Sequence, residues 1–308
     1  MEFEGRDIIS MMDLSRKDIE HIFSVAKKME TIVVDRTEKD LLRDKILAAI
    51  FFQPSTRTRL SFESAMHRLG GSVLGWASPE VSRAGDAYGE TLTDTALMID
   101  KYADVVAMRH SQAGEPAKFA EAANIPVING GDGYGEGAEH PTQSLLDLYT
   151  ILNEKGKIDG LKVLLTGDMN QRTHHSLCYG LAKFNEVKVS LFSPPNLRMP
   201  KGVKQNLDKL GLSYEEVEEI DSLIDRLDVI YALGPGKSRS ELPTEDRFRI
   251  HLKRLAKAKK DLIVLHPLPR LDEVSTDLDK TPFAKYFTQP LNGVVIRMAL
   301  LALVLGKA

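Results

Sequence analysis

One short apolar run of this sequence is followed at once by hydroxyl and guanidinium side chains. Ile46 to Phe52 has the composition of a buried strand, and a proline turn leads from it to the run Ser-Thr-Arg-Thr-Arg that begins at Ser55. A helix starting here would offer backbone N–H groups and the positive end of its dipole to an anion such as phosphate. The hydroxyls of Thr56 and Thr58 would add donors, and Arg57 can bind two oxygens at once. Helix capping with solvated arginines explains these residues equally well.

Two further turns combine cationic and hydrogen-bonding side chains. One contains Arg109 and His110, and the other is the run His-Pro-Thr-Gln from His140 to Gln143, with proline at the first helical position. A histidine before a helix is more often a capping or core residue than a catalytic one. At the carboxyl ends of parallel strands, however, these groups would converge with Arg57 on one edge of a sheet.

The second half of the chain has two more unusual turns after apolar runs. The first extends from Gly167 to His175 and contains Arg172. The second is the run His-Pro-Leu-Pro-Arg that begins at His266, in which two prolines make a rigid turn with fixed carbonyls, suited to holding an NH2 group. A plain helix start and a stiff connection are the structural alternatives.

Short apolar runs alternate with stretches of helical period, which predicts an α/β fold with mainly parallel sheets flanked by helices. At roughly 150 residues per domain, the 308 residues suggest two domains. We place them at residues 1–150 and 151–292, joined by one long crossing helix, with the terminal helix 293–308 folding back on the first. The predicted strands are Ile46 to Phe52, Val105 to Met108, Pro126 to Ile128, Lys162 to Leu165, Val187 to Phe192, Val229 to Leu233 and Leu262 to Leu265.

The composition excludes several classes of protein. With 41 basic and 44 acidic side chains the formal net charge is -3, so nucleic acid is not an expected partner. The single cysteine, Cys178, allows no internal disulfide, and the trio His174, His175 and Cys178 is more typical of a helix surface and core than of a metal site. The apolar stretch Leu291 to Leu305 is too short to span a membrane, and the acidic N-terminus lacks signal-peptide features. We expect a cytoplasmic location.

Together these motifs resemble the aspartate and ornithine carbamoyltransferase family over nearly the whole chain. The run from Ser55 to Arg59, followed by Leu-Ser-Phe-Glu, matches the family's carbamoyl-phosphate signature, and the turns at Arg109 and His140 match as well. The proline-rich run at His266 resembles the aspartate branch, because ornithine enzymes typically have a cysteine after that histidine.

The resemblance implies transfer of the carbamoyl group of carbamoyl phosphate to the amine of L-aspartate in pyrimidine biosynthesis, without metal or cofactor. Residues 1–150 with 293–308 would bind carbamoyl phosphate, and residues 151–292 would bind the amino acid. Arg57, Thr58, Arg109 and His140 would be catalytic. The implied donor-binding residues are Ser55, Thr56, Arg57, Thr58, Arg109, His140, Gln143, Pro267, Leu268 and Pro269.

For the acceptor, the resemblance implies that Arg172 binds a carboxylate. The chain departs from the family pattern elsewhere. Tyr88 stands where a neighbouring chain's loop normally delivers a lysine, and glycines in the segment 231–236 replace an arginine and a glutamine. The cations that could substitute are Arg83, Lys237 and Arg239.

The family also implies a homotrimer with shared active sites, and sometimes regulatory chains. Two alternatives stay open: a carbamoyltransferase with another amine acceptor, and a non-catalytic homologue that binds carbamoyl phosphate.

Overall fold

The computed structural model describes residues 3–36, 39–78, 80, 82, 84, 89–234 and 245–308. The chain divides into two compact units, Met1–Leu146 with Pro290–Ala308, and Asp147–Gln289. The sequence places this boundary near residue 150, and one helix, Pro141–Lys155, contains both positions.

The first unit is built on a parallel sheet of four strands in the order β2-β1-β3-β4. Its core packs Phe52, Ala96, Val106, Met108 and Phe119 together. The strands are β1 (Ile46–Phe51), β2 (Ser72–Trp76), β3 (Val105–His110) and β4 (Val127–Asp132). The helices are α1 (Arg16–Val34), α2 (Thr56–Arg68), α3 (Leu92–Ile99), α4 (Glu115–Ala122), α5 (Pro141–Lys155), whose last turns belong to the second unit, and α8 (Gln289–Val304), which starts at the unit boundary.

The second unit has a parallel sheet of five strands in the order β7-β6-β5-β8-β9. Aromatic side chains fill one side of it, with the rings of Phe192 and Phe248 centred 4.7 Å apart and Tyr286 fully buried. The strands are β5 (Lys162–Thr166), β6 (Lys188–Phe192), β7 (Ser213–Glu216), β8 (Val229–Ala232) and β9 (Ile263–Leu265), and the helices are α6 (Arg172–Leu181) and α7 (Lys201–Leu210).

The parallel α/β fold predicted from the sequence is confirmed, and each of the seven predicted strands is present. Two strands, β2 and β7, were not predicted. Both lie at an edge of their sheet, and their residues are half-buried or exposed rather than alternating between buried and exposed. A strand that leaves most of its side chains at the surface has no apolar run by which to recognise it.

The terminal apolar stretch forms a buried helix, as its sequence predicts. From Val295 to Val304 the side chains of α8 are at most 3% exposed. Throughout the described part of the chain, every helix falls short of the length or the apolar character needed to cross a bilayer.

Candidate active site

The strand order of the first unit places three of the predicted site turns side by side. β1 lies next to β3, and β3 lies next to β4, all running in the same direction. The helix start at Ser55 follows β1, Arg109 lies near the end of β3, and His140 follows β4. Because the carboxyl ends of parallel strands meet at one edge of the sheet, these turns share that edge, which is where α/β proteins bind ligands.

Helix α2 begins at Thr56, with Ser55 at the capping position. The backbone of Ser55 is extended, but its hydroxyl accepts no capping hydrogen bond from the first turn of α2. This geometry favours anion binding over the capping interpretation, since a capping hydroxyl would occupy an N–H group of that turn. Partial desolvation of the neighbouring Arg57 guanidinium lowers its pKa from the usual value, although the residue is exposed, and an arginine remains cationic.

A β-bulge directs Arg109 towards the site. Met108 pairs with Asn129 and His110 pairs with Asp132, so Arg109 on β3 faces two residues of β4, Gly130 and Gly131. Its Nη1 donates to the carbonyl oxygen of Gly130 at 3.3 Å. The sequence predicts no special role for these glycines, yet they form the end of β4 rather than a loop.

Gly131 is in contact with two predicted catalytic side chains. Its φ is +108°, and a Cβ built there would lie 2.9 Å from His140 Cδ2 and 3.1 Å from Arg109 Nη1. Only glycine permits both this backbone conformation and the close approach of the imidazole and the guanidinium. The lack of a side chain at Gly131 therefore lets both groups approach the backbone of β4.

Thr58 completes this group. Its hydroxyl lies 3.4 Å from Nε2 of His140, and both side chains are buried. Gln143, also buried, occupies the first turn of α5, where its backbone N–H donates to the carbonyl oxygen of His140. The structure thus gathers Arg109, Thr58 and His140 around the bulge of β4.

A buried polar network that sequence reasoning missed holds the loop between β4 and α5. The carboxylate of Asp132 accepts hydrogen bonds from Asn129 Nδ2 and from the backbone N–H groups of Glu139 and Gly114. Asn129 Oδ1 accepts from the N–H of Gly131. These bonds fix the backbone on both sides of the loop that leads to His140, the residue before α5. The run Asn-Gly-Gly-Asp at residues 129–132 was the only sequence signal for it.

In the second unit, Arg172 is the first residue of α6 and is buried. Two histidines hold the turn before it. His174 Nδ1 lies 2.9 Å from the carbonyl oxygen of Asp168, and His175 Nε2 lies 2.8 Å from that of Met169. Each of these ring nitrogens therefore carries a proton and donates it. Burial lowers the pKa of His174 to about 4, so this imidazole is neutral.

The turn after β9 is held by a buried hydrogen-bond network. The N–H of Leu268, whose φ is +56°, donates to His266 Nδ1 at 2.8 Å. Nε2 of His266 then carries the proton and donates to Glu273 at 2.7 Å. Burial raises the pKa of Glu273, but bonds from His266 and from the N–H of Leu271 outweigh it, so the net shift is downward. These contacts fix the segment that contains Pro267 and Pro269.

Three predicted acceptor cations, Arg83, Lys237 and Arg239, lie outside the described residues. Cys178 is buried in α6, and burial raises its pKa to about 12. Over the residues with described positions, we find no group of three or more His, Cys, Asp or Glu side chains able to hold a metal ion.

The fold and the site define an α/β protein in which a helix start without a side-chain cap lies at the same sheet edge as the group Arg109, Thr58 and His140. Two family models match the chain. The carbamoyl-P binding domain of aspartate/ornithine carbamoyltransferase matches residues 6–153, and the Asp/Orn binding domain of the same family matches residues 159–304. The chain belongs to the aspartate/ornithine carbamoyltransferase family.

Similar proteins carry more specific names. The aspartate carbamoyltransferase catalytic subunits of Thermococcus kodakarensis and Methanopyrus kandleri are 46% and 45% identical, each covering 99% of this chain, with 99% and 98% of their own lengths matched. Aspartate transcarbamoylase of Trypanosoma cruzi, solved in complex with carbamoyl aspartate and phosphate, superposes with a TM-score of 0.89 at 36% identity, covering 98% of this chain and 97% of that one. The catalytic subunit of the M. jannaschii enzyme gives 0.88 at 40% identity, covering 98% of both chains.

Proposed function

We propose that the chain transfers the carbamoyl group of carbamoyl phosphate to the amine of L-aspartate, giving N-carbamoyl-L-aspartate and phosphate. One observation supports this above all. Arg109, Thr58 and His140 meet around the bulge of β4, at the same sheet edge as the open start of α2. The names and bound ligands of the similar proteins point the same way.

The reaction needs positioning and charge stabilisation more than a covalent nucleophile. An uncharged amine attacks the carbonyl carbon, the carbonyl oxygen becomes an oxyanion, and phosphate leaves. Arg109, His140 and Thr58 are suited to the oxyanion, and the start of α2, with Ser55, Thr56 and Arg57, is suited to the phosphate. Removing one donor to such an oxyanion typically lowers the rate about 100- to 1000-fold.

The remaining roles follow the family resemblance and stay proposals. Gln143 and the carbonyls of Pro267 and Leu268 orient the carbamoyl nitrogen, with Pro269 stiffening the turn. Arg172 binds a carboxylate of the acceptor. Residues 1–150 with 293–308 serve the donor, and residues 151–292 serve the acceptor.

Arg83, Lys237 and Arg239 remain our candidates for further acceptor contacts. The sequence of this chain differs most from the family pattern around these residues, so the acceptor is the part of the proposal that most needs a direct test.

The proposal is tested by measuring carbamoylated product from carbamoyl phosphate with L-aspartate, beside L-ornithine and putrescine. Turnover of L-aspartate supports it. Turnover of another amine alone would keep the donor chemistry and reassign the acceptor. No turnover with any amine, with carbamoyl phosphate still bound, would favour a non-catalytic homologue.

Arg57→Gln tests the donor site. Losing a charge-assisted contact to phosphate is worth about 3 kcal/mol, so we expect the KM for carbamoyl phosphate to rise about 100-fold. Arg59→Gln is the matched control, because Arg59 donates to Glu63 one turn along α2 at 2.6 Å. An unchanged KM in Arg57→Gln, or an equal rise in both variants, would remove Arg57 from the donor site.

We further propose that the chain forms a homotrimer with shared active sites and that regulatory chains can bind to this trimer. We place the protein in the reducing cytoplasm, which suits the buried thiol of Cys178. Sedimentation equilibrium measures the assembly. Mixing the impaired Arg57→Gln and Arg83→Ala chains tests the sharing at low carbamoyl phosphate, because a site built from two chains regains activity when one intact copy of each residue meets in it. No recovery after mixing would indicate sites within single chains.

A further inference from the structure

A buried arginine of the terminal helix is connected to the histidine of the candidate active site through one threonine. Arg297 of α8 is 3% exposed, and its guanidinium stacks over the ring of Phe62 at 5.0 Å. Its Nη1 donates to the carbonyl oxygen of Gly293 at 3.1 Å, and its Nη2 donates to Oγ1 of Thr142 at 3.3 Å. The same Thr142 oxygen lies 3.5 Å from Nδ1 of His140.

The direction of these contacts follows from the chemistry of the groups. A guanidinium has only donors, so Thr142 Oγ1 must be the acceptor in its bond with Arg297. The hydroxyl proton of Thr142 is then directed away from Arg297. Nδ1 of His140 is within reach of that proton, and the threonine side chain is 0% exposed, so water does not compete for it.

If Nδ1 of His140 accepts from Thr142, the proton of the neutral imidazole must be on Nε2. Nε2 is the ring nitrogen that faces the hydroxyl of Thr58 at 3.4 Å. That is also the side on which an oxyanion would need a donor. The opposite tautomer would present a lone pair to the oxyanion and repel it.

We propose that Arg297 and Thr142 are positioning residues that hold His140 as the Nε2–H tautomer. The catalytic benefit of this tautomer rests on the proposed function, whereas the tautomer itself does not. The four residues in the series, Arg297, Thr142, His140 and Thr58, are 3%, 0%, 4% and 6% exposed, so solvent has little access to the groups that carry these protons.

Thr142→Val and Thr142→Ser form the decisive pair, because valine keeps the shape of threonine and removes the hydroxyl, whereas serine keeps the hydroxyl. The tautomer is read by nitrogen NMR of protein labelled at its eight histidines, with the His140 signal assigned by its loss in His140→Asn. We expect Nε2–H in the wild type and in Thr142→Ser, and a mixture of tautomers in Thr142→Val.

Kinetics supply the second readout. By analogy with the hydrogen-bond partners of metal-ligating histidines, whose loss typically costs about 10- to 100-fold, kcat should fall by that factor in Thr142→Val and recover in Thr142→Ser. The KM for carbamoyl phosphate should stay near the wild-type value, because the start of α2 is untouched. Because a smaller folded fraction would also lower the apparent kcat without changing KM, rates are divided by the concentration of folded protein, measured by circular dichroism.

Arg297→Met tests the far end of the series, since it keeps an unbranched chain over Phe62 and removes the donor. If this variant does not fold, the Thr142 pair still decides. The proposal is overturned if Thr142→Val keeps the Nε2–H tautomer, or if it changes tautomer with no loss of kcat. A wild type that shows the Thr142-dependent tautomer but transfers no carbamoyl group would overturn the proposed function and leave the tautomer assignment intact.

Discussion

Replacing Gly131 by alanine should disable the site without unfolding the chain. The added Cβ would lie 2.9 Å from Cδ2 of His140, whereas carbon atoms in contact prefer about 3.5 Å or more. It would also lie 3.1 Å from Nη1 of Arg109. Relieving both contacts moves the imidazole by about 0.6 Å and the guanidinium by somewhat less.

Displacements of this size matter because catalytic groups must be held to within about 0.5 Å of their productive positions, and an error of about 1 Å can cost 100-fold in rate. We expect kcat of Gly131→Ala to fall about 10- to 100-fold. The φ of +108° adds backbone strain of about 1 to 3 kcal/mol, which should appear as a lower free energy of unfolding.

Gly135→Ala separates these two effects. Gly135 lies in the loop that follows β4, with φ +80°, but a Cβ there meets no atom within 4 Å. This variant should therefore show the loss of stability with near-normal kcat. Steady-state kinetics and urea unfolding of both variants provide the comparison. Equal kcat values in the two variants would refute the argument that the lack of a side chain at Gly131 lets Arg109 and His140 approach the backbone of β4.

Two further predictions concern stability against pH. The pKa of His174 is about 4 in the folded chain, against an ordinary value of 6.5. Its neutral form therefore contributes fully to the free energy of unfolding above about pH 6.5, and up to about 3 kcal/mol of that free energy is lost as the pH falls towards 4. His174→Asn keeps a donor for the carbonyl of Asp168 but does not titrate. Urea unfolding across this pH range should therefore show that the variant loses less unfolding free energy in acid than the wild type does. An equal loss in both proteins would contradict the role given to His174. The carboxylate of Asp279 accepts from Arg270 at 2.6 Å and from the hydroxyl of Tyr286 at 2.6 Å, and the bond from Arg270 chiefly lowers its pKa. Asp279→Asn should lower the free energy of unfolding by about 1 to 2 kcal/mol near neutral pH. The difference from wild type should vanish as the pH falls below the ordinary aspartate pKa of 3.8. A difference that persists in acid would point to lost packing instead.

The amino-acid sequence is enough to predict the central strands and to locate the motif from Ser55 to Arg59. The interior strands of both sheets are buried on two faces, so they appear as apolar runs bounded by turns. The donor motif is contiguous, because a strand end and the helix start after it are adjacent in the chain. The sequence alone therefore predicts an anion site at Ser55 to Thr58, beside the alternative of helix capping.

Which side chains meet in the site depends on tertiary packing. β2 and β7 are edge strands without a burial pattern, and the role of Gly131 depends on a bulge formed against a different strand. Arg297 and Thr142 are separated by 155 residues along the chain. No local pattern predicts such a contact, because it forms only when α8 packs beside α5. Spacing along the chain specifies secondary structure and short turns, whereas the proton positions and close approaches within the site depend on how distant segments pack.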